Sequence, residues 1–162
     1  MYLFDTNVLI QSQNTFYSKN ICPGFWNWLI REHRKGNLKS ISQVREEFTP
    51  DDPDLAEWLT ENKSLFDFEA PTAALIQAYQ RLSRWANSRD CRDSAKAKFL
   101  NGTDYHLVAY SLAGKMSLIT FEKPEPKSQT KIKIPDACDA VGVQYVNLFH
   151  VLRQSKAVFQ LI

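Results

Sequence analysis

The sequence has few cysteines, no long apolar run and little net charge, and each of these features argues against a class of protein. Its three cysteines are far apart and form no Cys-x-x-Cys pair, which argues against a disulfide framework and against a zinc site. No stretch approaches the roughly 18 apolar residues of a membrane span, and the first residues do not resemble a secretory signal. We therefore expect a cytoplasmic protein with no membrane partner.

The composition is typical of one globular domain. The 162 residues are 44% hydrophobic and 23% charged, so the chain is long and apolar enough to close a core. Neither an internal repeat nor a domain boundary is visible in the sequence. We predict a single domain over residues 1–162.

The charges are distributed unevenly, although the net charge is only +2. Residues 46–69 hold nine of the eighteen acids and one base, whereas residues 81–98 carry six bases and residues 115–133 carry five. Two basic segments that flank an acidic centre could hold a phosphate backbone. Charge runs are also often no more than solvated surface, and the sequence leaves both interpretations open.

Short apolar runs alternate with helical patterns along the whole chain. This alternation predicts a parallel sheet with helices on both faces. The predicted strands lie at residues 2–4, 38–41, 117–121 and 143–147. The predicted helices lie at residues 25–33, 43–49, 55–59, 75–85, 93–100, 104–113, 136–140 and 148–153.

Four acids occupy places where this fold could bring them together. Asp5 and Glu122 each follow a predicted strand, and the carboxyl ends of parallel strands meet at one edge of a sheet. Glu47 lies on a short predicted helix, and Asp104 begins the apolar helix, where the helix dipole favours an ionised carboxylate. A lone Asp after a strand is also a common helix cap, so Asp5 alone does not define a site.

Carboxylates brought together in this way repel one another. Two like charges ~4 Å apart cost about 4 kcal/mol at an effective dielectric constant of 20. A divalent cation would remove that cost, and a site made of carboxylates alone suits Mg²⁺ or Mn²⁺ better than zinc. Such sites serve phosphoryl transfer. A site like that of haloacid dehalogenases would instead need a second Asp two residues after Asp5, where Asn7 stands.

The chain contains four motifs in a fixed order, each with an acid among apolar residues: Phe4–Ile10, Val44–Phe48, Thr103–Ala113 and Leu118–Glu122. Together they resemble the PIN domain, the fold of metal-dependent ribonucleases that includes the toxins of VapBC-type toxin–antitoxin pairs. Two further segments, Cys22–Trp26 and Lys131–Cys138, are similar to a bacterial subfamily of PIN-like proteins of uncertain function.

The resemblance implies a three-layer α/β/α sandwich with a central, mainly parallel sheet. It also implies an endoribonuclease that uses Mg²⁺ or Mn²⁺ to hydrolyse RNA, as the toxin of a type II toxin–antitoxin pair. Such a protein would bind an antitoxin, and members of the family often form homodimers. Two alternatives remain, namely a DNA nuclease that uses the same acids and a degenerate PIN module that binds RNA or a protein without cleavage.

The resemblance also assigns residues. It places the metal-binding and catalytic acids at Asp5, Glu47, Asp104 and Glu122, and residues that orient them at Thr6, Asn7 and Thr120. The substrate-binding residues come from the charge distribution and not from the resemblance, since the basic segment 115–133 predicts that Lys123 and Lys127, in the loop that directly follows Glu122, hold the substrate.

Three of these assignments leave a choice. Glu46 adjoins Glu47, and the spacing from Val44 favours Glu47. The family usually has Asp where Glu122 stands, so Glu122 either binds the metal through a water molecule or does not bind it. Asp136 is either a further acid of the site or the cap of its own short helix.

Overall fold

The structure is a computed structural model in which residues 1–160 are described. A four-stranded sheet forms its centre, and its strands are β1 (Tyr2–Phe4), β2 (Leu38–Lys39), β3 (Ser117–Ile119) and β4 (Tyr145–Val146). All neighbouring strands are parallel, in the order β2-β1-β3-β4. Their carboxyl ends therefore meet at one edge, which we call the carboxyl edge, and their amino ends meet at the opposite, amino edge.

Helices connect the strands and flank the sheet. They are α1 (Thr6–Gln11), α2 (Pro23–Arg34), α3 (Ser42–Glu47), α4 (Pro53–Glu61), α5 (Thr72–Ser88), α6 (Asp93–Leu100), α7 (Thr103–Gly114), α8 (Ile134–Val141) and α9 (Leu148–Gln154). The protein is thus a mixed α/β fold consistent with a three-layer α/β/α sandwich, and this confirms the predicted fold class. Among residues 1–160, no helix has the length and apolar character needed to cross a membrane.

β1 is an inner strand of the sheet and is covered on both faces. Leu3 and Phe4 are fully buried, and the ring of Phe4 meets the ring of Phe66 edge to face at 5.8 Å. An apolar run buried on both faces is typical of parallel sheets, since helices cover each side. The chain consequently leaves this sheet at Asp5, directly on the carboxyl edge.

α7 lies against α5 and brings its first turn to the same edge. Leu107, Val108 and Ala109 are buried, as predicted for a helix that is apolar on nearly every side. The helix ends at Gly114, and Lys115 then takes the left-handed conformation with φ of 54°. Because its buried residues fix the helix against its neighbours, Asp104 in the first turn is held in a defined place.

The polar segment 11–24 is more ordered than the sequence predicted. Its polar residues and the Cys-Pro-Gly at its end predict a loop with a short helical turn at most, but a π-helical turn at Ser12–Phe16 continues α1 directly. Ser12 is fully buried, and the ring of Phe16 packs against Phe121 and Phe149 at 5.5 and 5.3 Å between ring centroids. Tertiary packing of these aromatic rings therefore orders a segment whose polar composition favours a loop.

Candidate active site

A cavity of about 260 Å³ opens at the carboxyl edge of the sheet. Three of the four predicted acids, Asp5, Glu47 and Asp104, line it together. They come from three different elements, the end of β1, the end of α3 and the first turn of α7. The fold thus brings together residues that are about 40 to 100 positions apart in the sequence, as expected where several elements end at one sheet edge.

Asp5 is the most buried of these acids, with 2% of its surface exposed. Its Oδ1 accepts the backbone N–H of Asn7 at 2.9 Å, and its Oδ2 accepts the hydroxyl of Thr120 at 2.8 Å. These two hydrogen bonds lower the pKa of Asp5, but burial, together with the nearby charges of Glu122 and Glu47, outweighs them and raises the pKa to about 6. Asp5 therefore caps α1, as the alternative interpretation proposed, and is still a destabilised buried carboxylate.

Asp104 is more strongly perturbed. Burial, then the charges of Asp5 and Glu122, raise the pKa of Asp104 to about 7, although Lys131 acts in the opposite direction. The sequence predicted that the helix dipole keeps this group ionised, but burial and like charges outweigh that effect. Near neutral pH a substantial fraction of Asp104 therefore carries a proton.

The structure distinguishes the two adjacent glutamates of α3. Oε2 of Glu47 accepts the hydroxyl of Thr6 at 2.5 Å, and Glu47 lines the cavity whereas Glu46 does not. Both side chains are exposed. Consecutive residues of a helix point about 100° apart, so only one of the two faces the cavity, and it is the glutamate that the spacing from Val44 favoured.

Glu122 is placed differently from the other three acids. Its Oε1 accepts the ammonium of Lys131 at 2.5 Å, and its Oε2 accepts the backbone N–H of Ile134 at 2.8 Å. The side chain is 9% exposed, and it does not line the cavity. Both oxygens of Glu122 are thus bound to groups of the protein, while its charge still acts on Asp5 and Asp104.

Each of the three predicted orienting residues contacts one of the four acids. Thr120 donates to Asp5 and Thr6 donates to Glu47, whereas Asn7 acts through its backbone N–H. Thr120 also accepts the backbone N–H of Glu122 at 3.1 Å. Its hydroxyl therefore links two of the four acids and fixes the direction of the hydrogen bond to Asp5.

The remaining predicted residues lie outside the cavity lining. Asp136 is buried and its two carboxylate oxygens accept the backbone N–H of Glu125 at 3.0 and 3.2 Å, so it anchors the loop before α8. Lys123 and Lys127 are exposed on that loop. Two other lysines, Lys98 and Lys131, line the cavity. No local pattern distinguishes these two from the other lysines and arginines of the basic segments that contain them.

The donors that line the cavity suit a hard divalent cation, because the carboxylates supply oxygen and no sulfur or imidazole is among them. In the arrangement described for residues 1–160, however, no three His, Cys, Asp or Glu side chains are grouped so that they could hold one metal ion. In this arrangement Asp5, Glu47 and Glu122 each accept a hydrogen bond from a side chain of the protein.

The fold and the cavity define an α/β protein with three acids around one cavity at the carboxyl edge of a parallel sheet, where Asp5 is buried, Asp104 half-buried and Glu47 exposed. The chain belongs to the family DUF4411, which is described as a domain of unknown function and whose model matches residues 2–159. No curated protein and no solved structure matches the chain.

Proposed function

We propose that this protein is a metal-dependent endoribonuclease with a PIN-like fold. The observation that carries the proposal is the convergence of Asp5, Glu47 and Asp104 on one cavity at the carboxyl edge. Burial without full charge compensation raises the pKa of Asp5 and Asp104 to about 6 and about 7. Perturbed carboxylates that share a cleft are typical of functional sites.

In this proposal the side chains of Asp5, Glu47 and Asp104, which line one cavity but are not grouped as ligands in the arrangement described, would turn towards one another to hold Mg²⁺ or Mn²⁺. The bound cation would lower the pKa of a water molecule and neutralise charge on the scissile phosphate. Thr120 and Thr6 keep the carboxylates of Asp5 and Glu47 in fixed directions through their hydroxyl groups. Orientation of this kind maintains the affinity and geometry of metal ligands.

The choice of RNA rests on the PIN resemblance, and the same acids would serve a DNA nuclease. The resemblance likewise supports the narrower proposals that the protein is the toxin of a type II toxin–antitoxin pair, that it binds an antitoxin and that it forms a homodimer. Exposed Lys123 and Lys127 follow Glu122 in the chain. They would attract the phosphate backbone beyond the cleaved bond.

The test is cleavage of matched single-stranded RNA and DNA by purified protein with Mg²⁺, with Mn²⁺ or with chelator. Metal-dependent cleavage of RNA supports the proposal, and preferential cleavage of DNA supports the alternative nuclease. Metal-independent binding of RNA without cleavage supports the degenerate module and contradicts an enzyme.

A matched pair of variants connects the activity to the cavity. Glu47→Gln should lower cleavage by at least about 10²-fold, because it removes a charge from the cavity, whereas Glu46→Gln should retain most of the activity. Both substitutions remove one charge from the same exposed helix end. The comparison therefore separates the effect of losing a carboxylate in the cavity from the effect of losing a surface charge. Equal losses in the two variants would contradict the assignment of Glu47.

A further inference from the structure

Lys131 places a positive charge inside the acidic site. Its side chain lines the cavity with Asp5, Glu47 and Asp104, and its ammonium pairs with Glu122 at 2.5 Å. Burial alone would lower the pKa of Lys131, but Glu122, then Asp104 and Asp5, raise it above its usual value. The ammonium therefore stays charged at the point where the negative charges meet.

The fold fixes the segment that delivers this lysine. The Gln129 side-chain amide donates to the Asp90 carbonyl at 2.8 Å, and the Arg92 N–H donates to the Gln129 carbonyl at 3.1 Å. After Lys131, Ile132 is buried, with 2% exposure. The backbone is thus anchored on both sides of Lys131, so its entry into the cavity does not depend on a freely moving loop.

A neighbouring ion pair shows what is specific to Lys131. Lys133, two residues later, lies 3.9 Å from Glu125, whose side chain is 57% exposed. That pair lies outside the cavity lining, and because the carboxylate of Glu125 is open to water the contact has little energetic value. Glu122, by contrast, is only 9% exposed, and its pairing with Lys131 compensates a carboxylate that has little access to water.

We propose that the Lys131 ammonium takes the place of a second metal ion in this site. It pairs with Glu122 and acts on Asp104, which leaves Asp5, Glu47 and Asp104 to hold one divalent cation. An ammonium has three N–H donors, and Glu122 takes one, so Lys131 can also donate to a phosphate oxygen. In two-metal nucleases the second ion provides this charge. The inference rests on the metal site of the proposed function.

The number of bound Mn²⁺ ions tests the inference without measuring activity. Electron paramagnetic resonance and calorimetric titration should give one ion per chain for the unaltered protein. Lys131→Met should bind a second ion or bind the first at least tenfold more tightly, because Glu122 and Asp104 lose their compensating charge. Combining Lys131→Met with Glu122→Gln should restore both the ion count and the affinity of the unaltered protein. Lys133→Met is the matched control and should behave as the unaltered protein.

Two further variants guard against loss of the fold, which circular dichroism would detect. Lys131→Gln is a second neutral replacement with the same expected result as Lys131→Met, and Lys131→Arg retains the charge and should bind one ion. Two ions in the unaltered protein, or an unchanged count and affinity in both neutral variants, would overturn the inference while leaving the proposed function intact. The absence of Mn²⁺ binding in every variant would overturn both. If Lys133→Met changed Mn²⁺ binding as much as Lys131→Met does, a lysine outside the cavity would have the same influence as Lys131. That result would overturn this inference but not the proposed function.

Discussion

Each edge of the sheet contains a buried carboxylate beside a cavity, but the two carboxylates differ in whether positively charged partners compensate them. At the amino edge, Glu32 lines a cavity of about 290 Å³ and is 4% exposed. Its carboxylate accepts the Asn37 amide at 2.8 Å and the Lys35 ammonium at 3.2 Å. At the carboxyl edge, Asp5 is similarly buried and accepts hydrogen bonds only from neutral groups, Asn7 and Thr120.

The pKa values differ because Asp5 is more deeply surrounded by protein than Glu32, and because the partners of the two carboxylates differ. Burial would raise the pKa of Glu32, but hydrogen bonds from Asn37 and Lys35 and the charges of Lys35 and Arg31 lower it below its usual value. Burial raises the pKa of Asp5 to about 6 because neutral donors and neighbouring acids do not offset it. Burial alone therefore does not define a functional site here. What distinguishes the carboxyl edge is carboxylate charge that the protein compensates incompletely, and in the proposed function a cation would complete that compensation.

The largest effect is expected from removing one carboxylate at each edge. Asp5→Asn keeps an oxygen for the Asn7 N–H but loses the charge, so metal-dependent cleavage should fall by at least about 10²-fold. The melting temperature in chelator should rise, because a buried and repelled charge is gone. Calorimetry with and without Mn²⁺ measures this, and the metal response should disappear.

Glu32→Gln should do the reverse. Cleavage should persist, whereas the free energy of unfolding should fall by about 1–2 kcal/mol, because a charge-assisted hydrogen bond becomes neutral and exposed Lys35 loses its partner. Urea denaturation gives the value. If Glu32→Gln abolished cleavage, or if Asp5→Asn retained its metal response, the contrast between the edges would not be functional.

A smaller effect is expected in the pH dependence of stability in chelator. Asp5 and Asp104 keep a proton in the folded protein up to about pH 6 and 7, because their pKa values are raised, whereas the unfolded chain releases it near the ordinary value of 3.8. The stability contributed by these groups is therefore full below about pH 4 and is lost as pH rises to 7. Each pKa unit corresponds to about 1.4 kcal/mol.

Variants separate these groups from the other acids of the chain. Asp104→Asn should flatten the fall in stability between pH 4 and 7, which urea titrations at several pH values would show. The contribution of Glu32 to stability has the opposite pH dependence, because folding lowers its pKa. That contribution is present above the unfolded pKa and is lost at lower pH. Glu32→Gln should therefore change only the acidic limb, and a flattened neutral limb in that variant would contradict the comparison.

The smallest effect concerns substrate attraction at the carboxyl edge. Replacing Lys123 and Lys127 by Ala should weaken RNA binding and reduce the slope of log affinity against log salt by about 0.7 for each phosphate group that these lysines neutralise. Fluorescence anisotropy at several salt concentrations measures the slope. Lys123→Ala and Lys127→Ala are also measured one at a time. Lys35→Ala, at the amino edge, removes one charge as each of them does, so it is their control and should leave the slope unchanged. Equal slopes in all these variants would show that the lysines after Glu122 do not contact the substrate.

The sequence predicted well those features that depend on local pattern. The helices at residues 93–100 and 104–113 match α6 and α7 to within one residue at each end, because the spacing of apolar residues and the Asn101-Gly102 break between the helices are local properties. Asp5 could be placed at the carboxyl edge because a short apolar run preceded it. Glu47 was chosen over Glu46 from the apolar residues beside it, and only one face of α3 meets the cavity.

The features that the sequence did not predict depend on the packing of distant segments against one another. Lys131 belongs to a basic segment in which Lys123, Lys127 and Lys133 have the same local character. Only the anchoring of Gln129 and the burial of Ile132 direct it into the cavity. The raised pKa of Asp104 was also missed, because desolvation by the surrounding elements is not visible in a helix-dipole argument.

The position of β1 has a consequence for the order of events during synthesis. β1 is translated first, yet its partner β3 lies more than a hundred residues later, and the hydrogen bond from Thr120 to Asp5 joins residues 115 positions apart. Contacts of such long sequence separation form late and slowly. A ribosome-bound chain that has not yet emerged as far as β3 lacks the strand and the hydroxyl that hold Asp5. The acidic cavity therefore cannot assemble until β3 and Thr120 have emerged and joined β1.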